Sequence, residues 1–212
     1  MTESKYKLLI LDYGGVYSHG YDLQTQYKIA RELFGCERPP TKTSVELTSL
    51  EDRFSSGLIT TQEYIDELAA ILDAPKKPTP EGIQNRMLES AKDPSPLMVD
   101  LVKDVRVKGV KVALLSDMCA FEIPIAEKLG RFDGFDLALL SANEGVSKKN
   151  KKYFELLFEK LPYSPAESIF FDDSEYCIQT AKEIGMDSVL VQGEEMNTPE
   201  SLSEVIYAEL FG

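Results

Sequence analysis

Histidine is almost absent from this chain of 212 residues, His19 being the only one. That scarcity excludes a His-rich metal site and a His-dependent catalytic triad. His19 itself reads as a surface residue, with a touch on substrate as the sharper alternative. Cysteine is scarce too. Cys36, Cys119 and Cys177 are odd in number, widely spaced and without a Cys-x-x-Cys pair, so no disulfide framework is written here and a reducing, cytoplasmic compartment is expected. Positive charge is in deficit: 23 Lys and Arg stand against 36 Asp and Glu, a net charge of −13. Nucleic acid and anionic membrane surfaces are therefore poor partners. Long hydrophobic runs are missing as well. Leu8 to Leu11 and Val189 to Val191 fall far short of the roughly 20 residues that span a bilayer, and polar Met1 to Tyr6 leaves no room for a secretory signal.

What is present is the material of a folded α/β protein. Hydrophobic residues make up 43% of the chain and charged residues 28%, an ordinary globular balance. Short apolar runs at Lys7 to Leu11, Val110 to Leu115, Leu137 to Leu140, Ile169 to Phe171 and Ser188 to Val191 read as buried parallel strands. Helix-period stripes lie between the later ones: Phe154, Leu157, Phe158 and Leu161, then Leu202, Val205, Ile206 and Leu210. Alternation of this kind predicts a Rossmann-like, doubly wound parallel sheet.

Nearly a hundred residues separate the first two strands, whereas a crossover needs only about a dozen. An insertion is therefore predicted, and its pattern is helical. Thr60 and Glu63 form a capping box ahead of the stripe Tyr64, Ile65, Leu68, Ile71 and Leu72. Thr79-Pro80 and Ser95-Pro96 mark two further helix starts, the second returning the chain to the sheet. The predicted division is a core of residues 1–17 and 94–212 with a small helical cap over 18–93.

In open parallel sheets, ligands bind beyond the carboxyl ends of the strands. Asp12-Tyr13-Gly14-Gly15 follow the first strand, Ser116-Asp117 the second and Asp172-Asp173 the fourth, with Lys148 a few residues beyond the third. The set suits phosphoryl transfer through an aspartyl-phosphate, with Asp12 as nucleophile. A lone carboxylate repels a phosphate dianion, and Mg²⁺ removes that obstacle because it binds through one or two carboxylates and a phosphate oxygen. Asp12 and Asp173 are the natural ligands, with Asp172 in support and able to orient Lys148 by an ion pair. Lys148 would set a positive charge against the phosphoryl oxygens, and Ser116 would donate a hydrogen bond to them. Asp117 adjoins Ser116 on the phosphate side. Gly15, paired with Gly14, permits a tight turn whose amides approach the anion.

Blander readings compete at each position. A strand-end aspartate is often a turn cap, Ser116 alone reads as a turn residue, and Lys149, Lys151 and Lys152 beside Lys148 read as a solvated face. Ser174 is a plausible N-cap that one of the paired carboxylates could serve. What separates the sharper reading is the register of all four segments.

Those segments, LLILDYGGV, VALLSD, LLSANEGVSKKNKKYFELLFEKL and SIFFDDSEYCIQTAKEIGM, resemble the four motifs of the haloacid dehalogenase superfamily. RFSSGLITTQEYIDEL resembles its small helical cap, so the likeness spans nearly the whole chain. The resemblance implies a metal held by the Asp12 carboxylate, the Gly14 carbonyl and Asp173, with Ser116 and Lys148 gripping phosphate and a cap closing over small substrates. Among subgroups the chain is most similar to sugar-phosphate phosphatases whose first motif lacks its second aspartate. Gly14 stands where that general acid and base is usual, an aid worth roughly 10²–10⁴ in rate. Asp117 replaces a common Asn, Lys149-Asn150-Lys151 a usual Pro-Asp-Pro, and Cys177 a frequent Asn.

The expectation is a Mg²⁺-dependent hydrolase of small-molecule phosphate monoesters, monomeric or homodimeric. Two alternatives stand beside it: a noncatalytic phosphometabolite-binding protein, favoured by Gly14, and a metal-free dehalogenase, disfavoured by Lys148 and the Asp172-Asp173 pair.

Overall fold

The structure, a computed structural model, describes residues 4–18, 23–36, 45–90, 93–193 and 196–212. His19, considered above for a substrate contact, lies outside them. The strands are β1 (Leu8–Leu11), β2 (Lys111–Ser116), β3 (Leu137–Leu140), β4 (Ser168–Asp172) and β5 (Asp187–Leu190). The helices are α1 (Leu23–Phe34), α2 (Val45–Ser55), α3 (Thr61–Ile71), α4 (Pro80–Ser90), α5 (Pro96–Val107), α6 (Ile123–Lys128), α7 (Ser141–Glu144), α8 (Lys151–Lys160), α9 (Glu175–Glu183) and α10 (Pro199–Phe211). All strand pairs are parallel, in the order β3-β2-β1-β4-β5.

Because successive side chains of a strand point to opposite faces, the unbroken apolar run of β1 feeds two cores. Leu9 and Leu11 join Val112 and Leu114 under α5 and α10, where Met98, Leu101, Val105, Leu202, Ile206 and Leu210 complete one layer. Leu8 and Ile10 join Ala113 and Leu115 under α8 and α9, packed by Tyr153, Phe154, Leu157, Ile178 and Ala181. Both faces are thus covered, the condition under which a parallel sheet is stable. The Rossmann-like α/β expectation is met.

The long segment between β1 and β2 contributes α1 to α4, which gather a third core of Phe34, Leu47, Leu50, Ile65, Leu68, Ala69 and Ile83. Its local signals act as read. Thr60 Oγ1 accepts from the Glu63 amide at 3.2 Å while Glu63 accepts from the Thr60 amide at 2.8 Å, and Ser95 Oγ accepts from the Leu97 amide at the start of α5. These helices meet the sheet layer at defined points. Phe54 of α2 stacks on Tyr64 and leans on Phe121 of the β2–α6 loop, with centroids at 4.1 and 5.3 Å. Ser141 Oγ donates to the Ser55 carbonyl. Gly57, at φ +67°, lies so close to the Ala142 carbonyl that a side chain would not fit. Among the described residues no helix is long and apolar enough to cross a membrane.

Candidate active site

With β1 central, the chain winds to β2 and β3 on one side and to β4 and β5 on the other. The crevice at such a reversal is where α/β sheets bind ligands, and here it opens between the carboxyl ends of β1 and β4. Asp12 follows β1, its amide donating to the Phe171 carbonyl at 3.0 Å, so the two strand ends are stitched together. Asp172 closes β4 and Asp173 follows it. One oxygen from each of Asp12, Asp172 and Asp173 lies within 4.8 Å of the others. Asp12 and Asp172 are buried, whereas Asp173 is exposed.

Lys148 reaches into this group from the segment ahead of α8. Its buried ammonium stands 2.6 Å from Asp12 Oδ1 and 2.6 Å from Asp172 Oδ2. Asp172 uses its other oxygen, Oδ1, to accept from the Ser174 amide at 2.8 Å. It therefore serves both the lysine and the first turn of α9. Ser174, a plausible N-cap from the sequence, stands at the N-cap position of α9 but makes no side-chain capping hydrogen bond.

The electrostatics follow from burial among like charges. Desolvation pushes the Asp12 carboxyl up to about 7, against the pull of Lys148 and with Asp172 and Asp173 adding repulsion. Burial likewise raises Asp117, and for Asp173, whose side chain still reaches solvent, partial desolvation and the adjacent Asp172 charge act in the same direction. For Lys148 burial works in the opposite sense, yet Asp12, Asp172 and Asp117 outweigh it and hold the ammonium well above its ordinary range. The Cys177 thiol nearby is pushed up to about 12, chiefly by burial, which leaves it an inert thiol. Four carboxyl groups around a single ammonium amount to a surplus of negative charge, and every donor is a hard oxygen. That chemistry fits a Mg²⁺ ion. Asp12, Asp173 and Asp172 are the residues able to hold one.

Two residues expected at the phosphate also make structural bonds. The Gly15 amide, expected to face the anion, donates to the Ser18 carbonyl at 3.0 Å, because the turn after Asp12 folds back on itself. Asp117, expected on the phosphate side, accepts from the Lys148 amide at 2.9 Å and so braces the lysine segment. Ser116 ends β2 and is buried. Lys149 and Lys151 remain exposed but are not idle, pairing with Asp52 of α2 and with Glu183 of α9.

Three supporting residues escaped sequence reasoning. The Tyr153 hydroxyl bonds the carbonyls of Ser116 and Leu139 at 2.9 and 2.8 Å, tying the ends of β2 and β3. Ser141 Oγ accepts from the Met118 amide at 3.0 Å. Arg131 Nη1 donates to the Tyr13 hydroxyl at 3.0 Å. Tyr153 stands outside the helical stripe of Phe154, Leu157, Phe158 and Leu161 read from the sequence, and nothing local ties Arg131 to Tyr13.

The family model for haloacid dehalogenase-like hydrolases matches residues 59–185. The chain belongs to that family. Among curated relatives, mouse acyl-CoA dehydrogenase family member 10 is 27% identical over 148 residues, which cover 68% of this chain and 14% of the relative. The sesquiterpene phosphatase astK of Aspergillus oryzae is 29% identical over 94 residues, 44% of this chain and 48% of that protein. The chain thus spans a seventh and about half of the lengths of these relatives. A haloacid dehalogenase family enzyme from Bacteroides thetaiotaomicron, crystallised with magnesium and inorganic phosphate, superposes with a TM-score of 0.73 at 22% identity. The match covers 90% of this chain and 96% of that one, and at such identity it speaks to the fold.

Proposed function

We propose that this hydrolase is a Mg²⁺-dependent phosphatase acting on small-molecule phosphate monoesters, with Asp12 as the nucleophile. The observation that carries the reading is the convergence of Asp12, Asp172 and Asp173 within 4.8 Å around an ammonium that touches two of them. The sesquiterpene phosphatase and the magnesium and phosphate complex of the Bacteroides enzyme support it from outside.

A bound Mg²⁺ supplies the charge neutralisation that lets a carboxylate approach a phosphate dianion. Asp12, Asp173, Asp172 and the Gly14 carbonyl are its proposed ligands. Asp12 forms a bond to phosphorus as the ester P–O bond breaks, and the departing oxygen takes its proton from solvent because Gly14 offers none. Water then attacks the aspartyl-phosphate, releasing inorganic phosphate and restoring Asp12. Lys148 balances charge on the nucleophile and the transferred group, held for that task by Asp172 and by the Asp117 bond to its amide. Ser116 donates to a phosphoryl oxygen. Residues 18–93 act as a cap over the crevice, and sugar phosphates head the substrate panel.

Gly14 favours a second reading, a phosphometabolite-binding protein that no longer turns over. Hydrolysis of an aryl phosphate with and without Mg²⁺, by the wild type and Asp12→Asn, separates the two. Mg²⁺-dependent release abolished in the variant is expected. No release from a broad panel of phosphate esters would favour the binding protein, and metal-independent halide release from a 2-haloacid, assayed alongside, would favour a dehalogenase.

A further inference from the structure

Arg131 is a buried cation for which the chemistry above has no use. Its side chain is 5% exposed, beside a run of packed rings: Tyr13 lies 6.1 Å from Tyr17 and 6.3 Å from Phe132, and Tyr17 lies 4.8 Å from Phe135. Removing a guanidinium from water is expensive, and a well-packed apolar residue of similar volume often serves stability as well or better. The charge at residue 131 is thus better explained by the geometry it imposes than by net stability.

That geometry bears on the nucleophile. Tyr13 directly follows Asp12, and Arg131 Nη1 donates to its hydroxyl at 3.0 Å. The rest of the turn closes through its own backbone, with the Tyr17 amide donating to the Asp12 carbonyl at 3.1 Å and the Ser18 amide to the Tyr13 carbonyl at 2.7 Å. Arg131 Nη2 also stands 3.7 Å from Asp93 Oδ1, on the segment by which the chain re-enters the sheet layer ahead of α5. One guanidinium therefore touches both the turn that leaves the sheet for α1 and the segment that returns from α4. The Asp93 carboxylate is 82% exposed, so solvent and salt weaken that pair, and the buried bond to Tyr13 is the stronger of the two.

We infer that Arg131 is a positioning residue which, acting through Tyr13, fixes the turn that aims Asp12 and couples it to the segment through which α1 to α4 rejoin the core. This deepens the phosphatase reading and rests on it for its kinetic arm only.

The test compares Tyr13→Phe, Arg131→Met and Arg131→Lys with the wild type in the full chain, by amide hydrogen exchange and by aryl phosphate hydrolysis with Mg²⁺. Tyr13→Phe and Arg131→Met should speed exchange at the Tyr17 and Ser18 amides at least tenfold while the amides of β1 and β4 keep their rates. In the same variants kcat should fall tenfold or more with KM within twofold, and Arg131→Lys should recover part of both losses. Exchange in the turn that is unchanged, or that rises only in step with β1 and β4, would overturn the inference and leave Arg131 a packing residue. Should Arg131→Met fail to fold, Tyr13→Phe, which deletes one oxygen, decides the matter. A wild type that hydrolyses no phosphate ester would sink the phosphatase reading, and the exchange result would then judge Arg131 alone.

Discussion

The carboxylate of Asp173 occupies the space that a side chain on Gly15 would need: a Cβ there would lie 3.0 Å from Asp173 Cγ and nearer still to Oδ2. Gly15 also sits at φ +77°, where any residue with a Cβ is strained by about 1–2 kcal/mol. The glycine therefore matters less for its amide, which is spent on Ser18, than for the room it leaves the acid. Gly15→Ala should push Asp173 away from Asp12 and weaken Mg²⁺ binding by about 10- to 100-fold, the usual effect of disturbing a ligand's support. Calorimetric titration with Mg²⁺ checks this. Wild-type affinity in the folded variant would show that Asp173 is no ligand.

Gly14 behaves differently from its neighbour. A Cβ at residue 14 meets nothing within 4 Å, and the backbone there is not in the left-handed region. A side chain can therefore start there without a clash at Cβ, two residues after the proposed nucleophile, where the resemblance puts the usual general acid. Gly14→Asp should raise kcat for aryl phosphate, up to the roughly 10²–10⁴ that general acid–base help supplies. Saturating-substrate assays decide it: a folded variant with unaltered kcat means that proton transfer does not limit turnover.

Tyr153 joins the fold to the site. Its fully buried hydroxyl answers the carbonyls of Ser116 and Leu139, and removing it strands acceptors in the interior. Tyr153→Phe should cost about 1–3 kcal/mol, the desolvation penalty of an unpaired buried group, visible as a lower urea midpoint at unchanged slope. Equal midpoints would mean that water or a shift of β3 satisfies both carbonyls.

These cases show what a sequence displays and what it withholds. The five strands and the Thr60 and Ser95 caps were legible because they depend on local periodicity and on hydrogen bonds spanning two or three residues. Asp12 and Asp172 could be named from their places at strand ends, since parallel winding delivers those ends to one rim, and Lys148 from its segment a few residues beyond β3. Their partners were less visible. That Asp117 accepts from the Lys148 amide and that Gly15 makes room for Asp173 turn on ångström-scale loop geometry. The bond from Arg131 to Tyr13 joins positions distant in sequence, with no pattern to mark it.

Asp136 offers a test of stability away from the site. It lies just ahead of β3, where Oδ2 accepts from Arg106 Nε and the Val112 amide, both at 3.0 Å, and Oδ1 from Arg106 Nη2 at 3.0 Å and Lys111 Nζ at 2.8 Å. Burial alone would raise this carboxyl, but those four bonds prevail and hold it at about 2, below its ordinary 3.8. A depressed folded value means that the stabilisation is fully present above pH 3.8 and is lost as the pH falls toward 2. At about 1.36 kcal/mol per unit the shift corresponds to roughly 2 kcal/mol. Arg106 and Lys111 are 38% and 50% exposed, so screening reduces this to about 1 kcal/mol. Urea denaturation of the wild type and Asp136→Asn at a series of pH values should therefore show a gap of that size near pH 6 that narrows steadily below pH 4 and shrinks with added salt. A gap independent of pH would mean that Asp136 contributes through shape and neutral hydrogen bonding rather than through its charge.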